Sequence, residues 1–286
     1  MTEVKNFLVL KYMNHLGETI KFDGKNYFSN SYKMRDYTWN YESDFNKIKS
    51  FNLSNVSTKT LSVSIHARSQ SKGFELFNSF FEIFEKDVLA KRPGKFYLGD
   101  YYTCYMISNV RKDFLAAQNL LTLELTIISD TNNWVCEKTY SFVKNQPVSG
   151  HGYIYGYPYQ YSSGALKGFL NDALVGSNFK LIIYGPVINP ALYIGGHMYA
   201  VNVPVEGDEY LEINSREKII ETVQSDGKRT SVINYRNREN YIFQKIPSGV
   251  VAVTWNNDFG FDLTLFDERS EPKWSIVNRI FAVKAA

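Results

Sequence analysis

Histidine is both a common metal ligand and a common general base, so His15, His66, His151 and His197 are where chemistry would first be sought. They are scattered, no two at a spacing that brings both to one ion, and His66 falls on the polar phase of an alternating stretch. They read as surface or hydrogen-bonded side chains, and no metal site is expected. Ser149-Gly150-His151-Gly152 puts a hydroxyl beside an imidazole but lacks the G-x-S-x-G elbow. Gly150, Gly152 and Gly156 run one residue longer than a dinucleotide fingerprint and do not sit between a strand and a helix. Both motifs read as flexible connection. Among the carboxylates, Glu206-Gly207-Asp208-Glu209 reads as a solvated turn, and Asp267-Glu268 abut Arg269, whose charge keeps them ionised rather than poised as acids. With no converging acid, base and nucleophile, the chain is not expected to be an enzyme or to carry a cofactor.

Aromatic residues are the remaining candidates. Tyr153, Tyr155, Tyr157, Tyr159 and Tyr161 recur at period two, and Pro158 among them cannot donate to a ladder, so the stretch is an edge strand or extended linker. Its tyrosines could cover the second domain's own sheet, meet another subunit, or stack on sugar rings. Tyr37 to Ser50 is polar but carries Tyr37, Trp39, Tyr41 and Phe45, which suits a long loop or protruding ribbon. Tyr37, Trp39, Tyr41, Phe45, Tyr153, Tyr155 and Tyr157 are therefore the candidate interface residues.

These side chains need a scaffold, and the sequence supplies one long helix among strands. From Ser69 to Gly94, Phe77, Phe80, Phe81, Phe84 and Val88 recur at helical spacing, with Ser71 as N-cap and Pro93-Gly94 as the stop. So wide a phenylalanine stripe needs a sheet to cover it. Strands flank it: Leu61, Val63, Ile65 and Ala67 alternate with Ser62, Ser64 and His66, and Leu121, Leu123, Leu125 and Ile127 alternate with Thr122, Glu124 and Thr126. Asp23-Gly24 predicts a hairpin turn. After Asn145-Gln146-Pro147 the texture changes to many short strands at near-regular spacing, as in a sandwich or jelly roll, with a short helix or loop at Ala165 to Gly176.

The predicted fold is mainly β. An α+β domain over 1–145 has its long helix on an antiparallel sheet, a jelly-roll β-sandwich covers 146–270, and a C-terminal segment spans 271–286. Net charge is only +3 over 286 residues, without a basic stripe, so sequence-specific nucleic-acid binding is not expected. The apolar run Phe7 to Leu10 is too short for a signal h-region, and no stretch is long enough to insert in a membrane. Cys104 and Cys136 read as small buried thiols of a protein made in a reducing cytoplasm.

The order of features resembles the distal tail protein family of long-tailed (siphovirus) phages of Gram-positive hosts. The polar aromatic loop, the strand from Thr60 to Ala67 and the phenylalanine-rich helix carry the resemblance in the first half. In the second half it rests on Phe179 to Pro190, Ile194-Gly195-Gly196, Glu206 to Ile213, and the closing run Asp267, Glu268, Arg269, Ser270, Glu271, Pro272, Lys273 and Trp274. The resemblance implies a hexameric ring of N-terminal domains with galectin-like C-terminal domains. Such a ring connects the tail tube to the host-adhesion apparatus, with other tail proteins as partners, and leaves a channel for DNA. It would stand at the virion tail tip after assembly in the host cytoplasm. It also implies that residues 271–286 return to the first domain and that Tyr37 to Ser50 reaches a neighbouring subunit. Only about 125 residues separate Asn145 from Ser270, one ordinary domain, so no receptor-gripping arm is expected. The alternative is a carbohydrate-binding module that recognises cell-wall polysaccharide through the tyrosines. A wall-degrading hydrolase is the remaining rival.

Overall fold

A computed structural model describes residues 9–52, 56–115, 119–144 and 167–273. Tyr153, Tyr155, Tyr157, the Ser149–Gly152 and glycine motifs and Trp274 lie outside the described residues. The chain divides into two compact units, residues 1–136 with 268–286, and residues 137–267. Strand predominates in both, so the fold is mainly β as the alternation implies.

The first unit contains β1 (Leu10–Met13), β2 (Thr19–Lys21), β3 (Tyr27–Ser29), β4 (Asn40–Asp44), β5 (Lys47–Asn52) and β6 (Ser57–His66). Helix α1 (Gln70–Ala90) follows, then β7 (Gly94–Leu98), β8 (Tyr101–Leu115), β9 (Leu120–Ser129) and the start of β10 (Trp134–Phe142). The strands pair antiparallel in two runs, β2–β1–β7–β8 and β3–β6–β9–β8. Strand β8 belongs to both: Tyr101 to Tyr105 pair with β7, Met106 to Leu115 pair with β9, and a bulge lies between Ile107 and Asn109. A bulge bends and twists a strand, which lets one strand serve two sheets.

Helix α1 packs across both runs. Phe84 stacks on Tyr12 of β1 at 3.9 Å between ring centroids, Phe80 meets Tyr27 of β3 at 5.8 Å, and Phe77 meets Phe114 of β8 edge-on at 5.7 Å. The buried stripe is Gly73, Phe77, Phe80, Phe84 and Asp87. The helix thus differs from the reading of the sequence in its margins. Its N-cap is Ser69, whose hydroxyl accepts from the Lys72 amide, rather than Ser71. Phe81 is only half-buried, with the Lys112 ammonium 3.9 Å from its ring centre, and Val88 is exposed. Phe81 and Val88 follow the stripe residues Phe80 and Asp87 by one position, about 100° further round the helix, which leaves Phe81 packed at the margin of the core and Val88 outside it. The Asp23-Gly24 turn also differs: β2 and β3 do not pair with each other, because the chain passes there from one run to the other. The hairpin is instead β1–β2, closed at Asn14 to Gly17.

The second unit continues through β11 (Lys167–Asn171), β12 (Asn178–Tyr184), β13 (Val187–Ile188), β14 (Ala191–Ile194), β15 (His197–Ala200) and β16 (Pro204–Val205). It closes with β17 (Tyr210–Asn214), β18 (Ile219–Val223), β19 (Arg229–Ser231), β20 (Gly249–Trp255) and β21 (Phe261–Arg269). Two sheets, β19–β18–β17–β12–β21 and β11–β20–β14–β15, face one apolar core. Leu181, Ile213 and Leu263 enter it from the first, and Leu192, Tyr199 and Val253 from the second. Where the sequence left a short helix or loop at Ala165 to Gly176, Lys167 to Asn171 form the edge strand β11.

Candidate assembly surface

Strands β4 and β5 pair only with each other and form a two-stranded ribbon. Its tip, Phe45-Asn46, has positive φ at both positions, 41° and 66°, the conformation that suits a tight two-residue hairpin turn. Every residue from 36 to 51 is exposed. Four of the candidate residues lie in this stretch: Tyr37, Trp39, Tyr41 and Phe45. Trp39 is 49% exposed, Tyr41 62% and Phe45 96%, and Ile48 and Phe51 join them. The rings gather on the ribbon itself, with Tyr37 and Trp39 5.4 Å apart and Trp39 and Phe51 6.2 Å apart. A two-stranded ribbon has no core of its own, and apolar side chains grouped in this way mark an interaction site.

Two cations at the base of the ribbon were not singled out from the sequence. Arg35, in a 3-10 turn (Ser31–Arg35) just before the ribbon, is buried; its Nη1 donates to the Pro272 carbonyl at 2.9 Å and to Glu271 Oε1 at 3.3 Å. Of the closing run, Glu271 and Pro272 therefore meet the first unit at the foot of the ribbon. Asp267 is buried in the second unit, Glu268 begins the part assigned to the first, and Arg269 and Ser270 are partly buried. Lys59 lies on β6 in the same alternating phase as the core residues Leu61, Val63 and Ile65. A cation in that phase was the sequence signal for it. Its Nζ donates to the Met34 and Asp36 carbonyls at 2.8 and 2.6 Å. Burial lowers the amine to about 8, opposed by the charge of Asp36.

Beside the ribbon base lies a polar cleft of about 490 Å³, lined by Lys33, Asp36, Thr38, Thr58, Thr60 and Asn132 among others. The Asn132 Oδ1 is buried there without a hydrogen-bond partner. The cleft runs along an unfinished sheet edge: β3 covers β6 only at Val63 to Ile65, so among the described residues no strand ladders onto the outer edge of Ser57 to Leu61. At the other end of that sheet, no described strand pairs with the outer edge of β8 from Met106 to Leu115. The β3–β6–β9–β8 sheet is thus open at both ends. Its α1 side is apolar and its outer side polar, with Thr58, Thr60, Ser62, Thr122, Glu124 and Arg111 exposed. Glu124 lies opposite both Ser62 and Arg111, and its carboxylate is 3.8 Å from the Arg111 guanidinium.

The three histidines among the described residues are placed separately. His15 Nδ1 and its amide meet the buried Asp87 carboxylate, His66 is exposed at the end of β6, and His197 Nε2 lies 3.0 Å from the Tyr241 carbonyl oxygen. No group of three or more His, Cys, Asp or Glu among the described residues could hold a metal ion.

No family model matches the chain, and neither does any curated protein. Solved structures do. The chain is similar to one in the phage P2 baseplate in its activated conformation, with calcium (TM-score 0.58, 11% identity) and with strontium (0.59, 12%), in each case over 93% of this chain and all of the other. It is similar, at a TM-score of 0.57 and 6% identity over 92% of its length and all of the other, to the SPP1 Dit protein, described as a paradigm of the hub adsorption apparatus in phages infecting Gram-positive hosts. At these identities what is shared is the fold.

Proposed function

We propose that this chain is a structural hub of a phage tail tip, with a geometric rather than a catalytic role. Six copies close through the first unit into a ring that joins the tail tube to the host-adhesion apparatus and leaves a channel for DNA. The observation that carries this reading is the four-stranded sheet with unpaired edges at both ends. An edge strand is a template for pairing with another chain, and proteins that keep long ones in the open usually use them. Pairing β8 of one copy with the open half of β6 in the next is a head-to-tail contact, and a head-to-tail contact that rotates closed makes a ring. The ribbon extends beside that edge, so its Trp39, Tyr41 and Phe45 would be buried on the adjacent copy. The polar outer face suits the wall of a DNA channel. Its hydroxyls and its paired Arg111 and Glu124 give a polyanion contact without the unpaired cations that would hold it. The likeness over nine-tenths of the chain to baseplate and hub proteins supports the same role, the virion tail as its location and other tail proteins as its partners.

Light scattering across a concentration series, followed by negative-stain imaging, tests the ring. A six-fold particle with a central hole is expected. A strict monomer at every concentration would sink the self-closing ring. A particle that persists when Trp39, Phe45 and Phe51 are all replaced by Ser would remove the ribbon from the contact.

A further inference from the structure

We infer that the outer face of the β2–β1–β7–β8 run is a docking surface for an acidic protein, separate from the sheet edges and ribbon assigned to the ring. Register builds the face row by row. Lys21 of β2 lies beside Lys11 of β1, then Tyr97 of β7, then Tyr102 of β8; in the next row Thr19, Met13, Lys95 and Cys104 follow. The alternate residues of these strands, Leu10, Tyr12, Ile20, Phe96 and Leu98, are buried on the opposite side, which fixes which way the lysines point. No residue of either row is acidic, and among the described residues none of Lys11, Lys21 and Lys95 is in an ion pair.

Lys11 and Lys95 are also held in place. The Lys11 ammonium sits 4.2 Å from the centre of the Tyr97 ring, the Lys95 ammonium 4.2 Å from that of Tyr102, and the two rings are 5.8 Å apart. Lying on a ring costs a lysine little of its charge and removes much of its rotamer freedom before any partner arrives. The result is a preorganised patch in which Lys11 and Lys95 lie over the half-buried Tyr97 and the buried Tyr102, with no carboxylate among the described residues of either row. Carboxylates on a protein surface complement it in sign. Three lysines on a small flat face fall short of the roughly 6–10 phosphate contacts of a protein that holds duplex DNA by charge, so an acidic protein is the better match. The surface requires no ring and stands whether or not one forms.

Fluorescein-labelled poly-L-glutamate, with a duplex DNA of equal total charge in parallel, probes the site by anisotropy across a salt series. The expected result has three parts: polyglutamate binds the full chain and weakens with salt, K11E/K95E loses affinity about tenfold or more, and K25E/K228E, with the same net charge on exposed lysines elsewhere, keeps most of it. The milder K11Q/K95Q shows a smaller loss of the same kind and replaces K11E/K95E if that variant melts early. Tighter binding of DNA than of polyglutamate, lost in K11E/K95E, would overturn the acidic-protein reading in favour of nucleic acid. Equal losses in K11E/K95E and K25E/K228E, or no binding by the wild type at low salt, would overturn the site.

Discussion

Lys59 shows how one side chain can couple the fold to pH. Its amine is held near 8 by burial against an ordinary 10.5. Between those values the unfolded chain binds more protons than the folded one, so the stability that depends on this group rises as pH goes from about 8 to 10.5 and is lowest below 8. Chemical melts of the wild type and Lys59→Met should therefore diverge in that window, the wild type gaining up to about 3 kcal/mol relative to the variant. Parallel curves would mean the amine is not desolvated. Phe84, 3% exposed and stacked on Tyr12, is the matching apolar case. Phe84→Ala should cost about 3–5 kcal/mol in a denaturant melt, while Val88→Ala on the exposed side should change little. Gly94 belongs to the same packing: a side chain there would overlap the Tyr12 hydroxyl and the Asp87 carboxylate, which hydrogen-bond to each other. Neither Asp87 nor Gly94 could have been assigned this part from the sequence. Their partner Tyr12 is 75 residues from Asp87, and no periodicity reaches across that interval.

At the scale of elements, the ribbon separates folding from assembly. Its rings touch mainly one another, so replacing Trp39, Phe45 and Phe51 together by Ser should move the melting temperature by only a few degrees while abolishing the ring. Calorimetry and light scattering on the same sample check both halves of that statement, and a large loss of stability would mean the ribbon packs on its own unit. Elements whose periodicity is long and unbroken were legible in the sequence. β6 and β9 alternate apolar and polar residues around Leu61 to Ile65 and Leu121 to Ile127, with β6 beginning three residues before the expected Thr60. Helix α1 differs at a cap with two eligible serines and at Val88, which lies outside the buried stripe. The ribbon was legible as a place, because aromatics in a polar stretch have no core to join. Its regular strands were not, since β4 and β5 alternate no hydrophobic residues. The Asp23-Gly24 turn was read as a hairpin because turn chemistry is local, whereas the strand each arm pairs with is settled by sheets built far away in sequence. β11 was missed for a related reason: Lys167 to Asn171 is short, contains Gly168, and becomes a strand through its ladder with β20.

For the whole molecule, the two cores share no residue: the one built around Phe80 and Phe96 draws only on the first unit, the one around Phe179 and Phe261 only on the second. Residues 137–270 expressed alone should therefore fold with a single cooperative melt, and an uncooperative profile would show that this core needs the other unit. The first unit is not contiguous in sequence, so no such simple excision is expected for it.

That discontinuity has a consequence in time. Arg35 hydrogen-bonds to Pro272, made 237 positions later. At about 5–20 residues per second, on the order of ten to fifty seconds of synthesis separate the guanidinium from the carbonyl it binds. The foot of the ribbon is thus fastened only after the whole of the second unit has been made. A nascent chain, or one cut short before residue 272, presents the ribbon without that fastening, which favours copies that extend through Pro272 as the ones competent to join a ring.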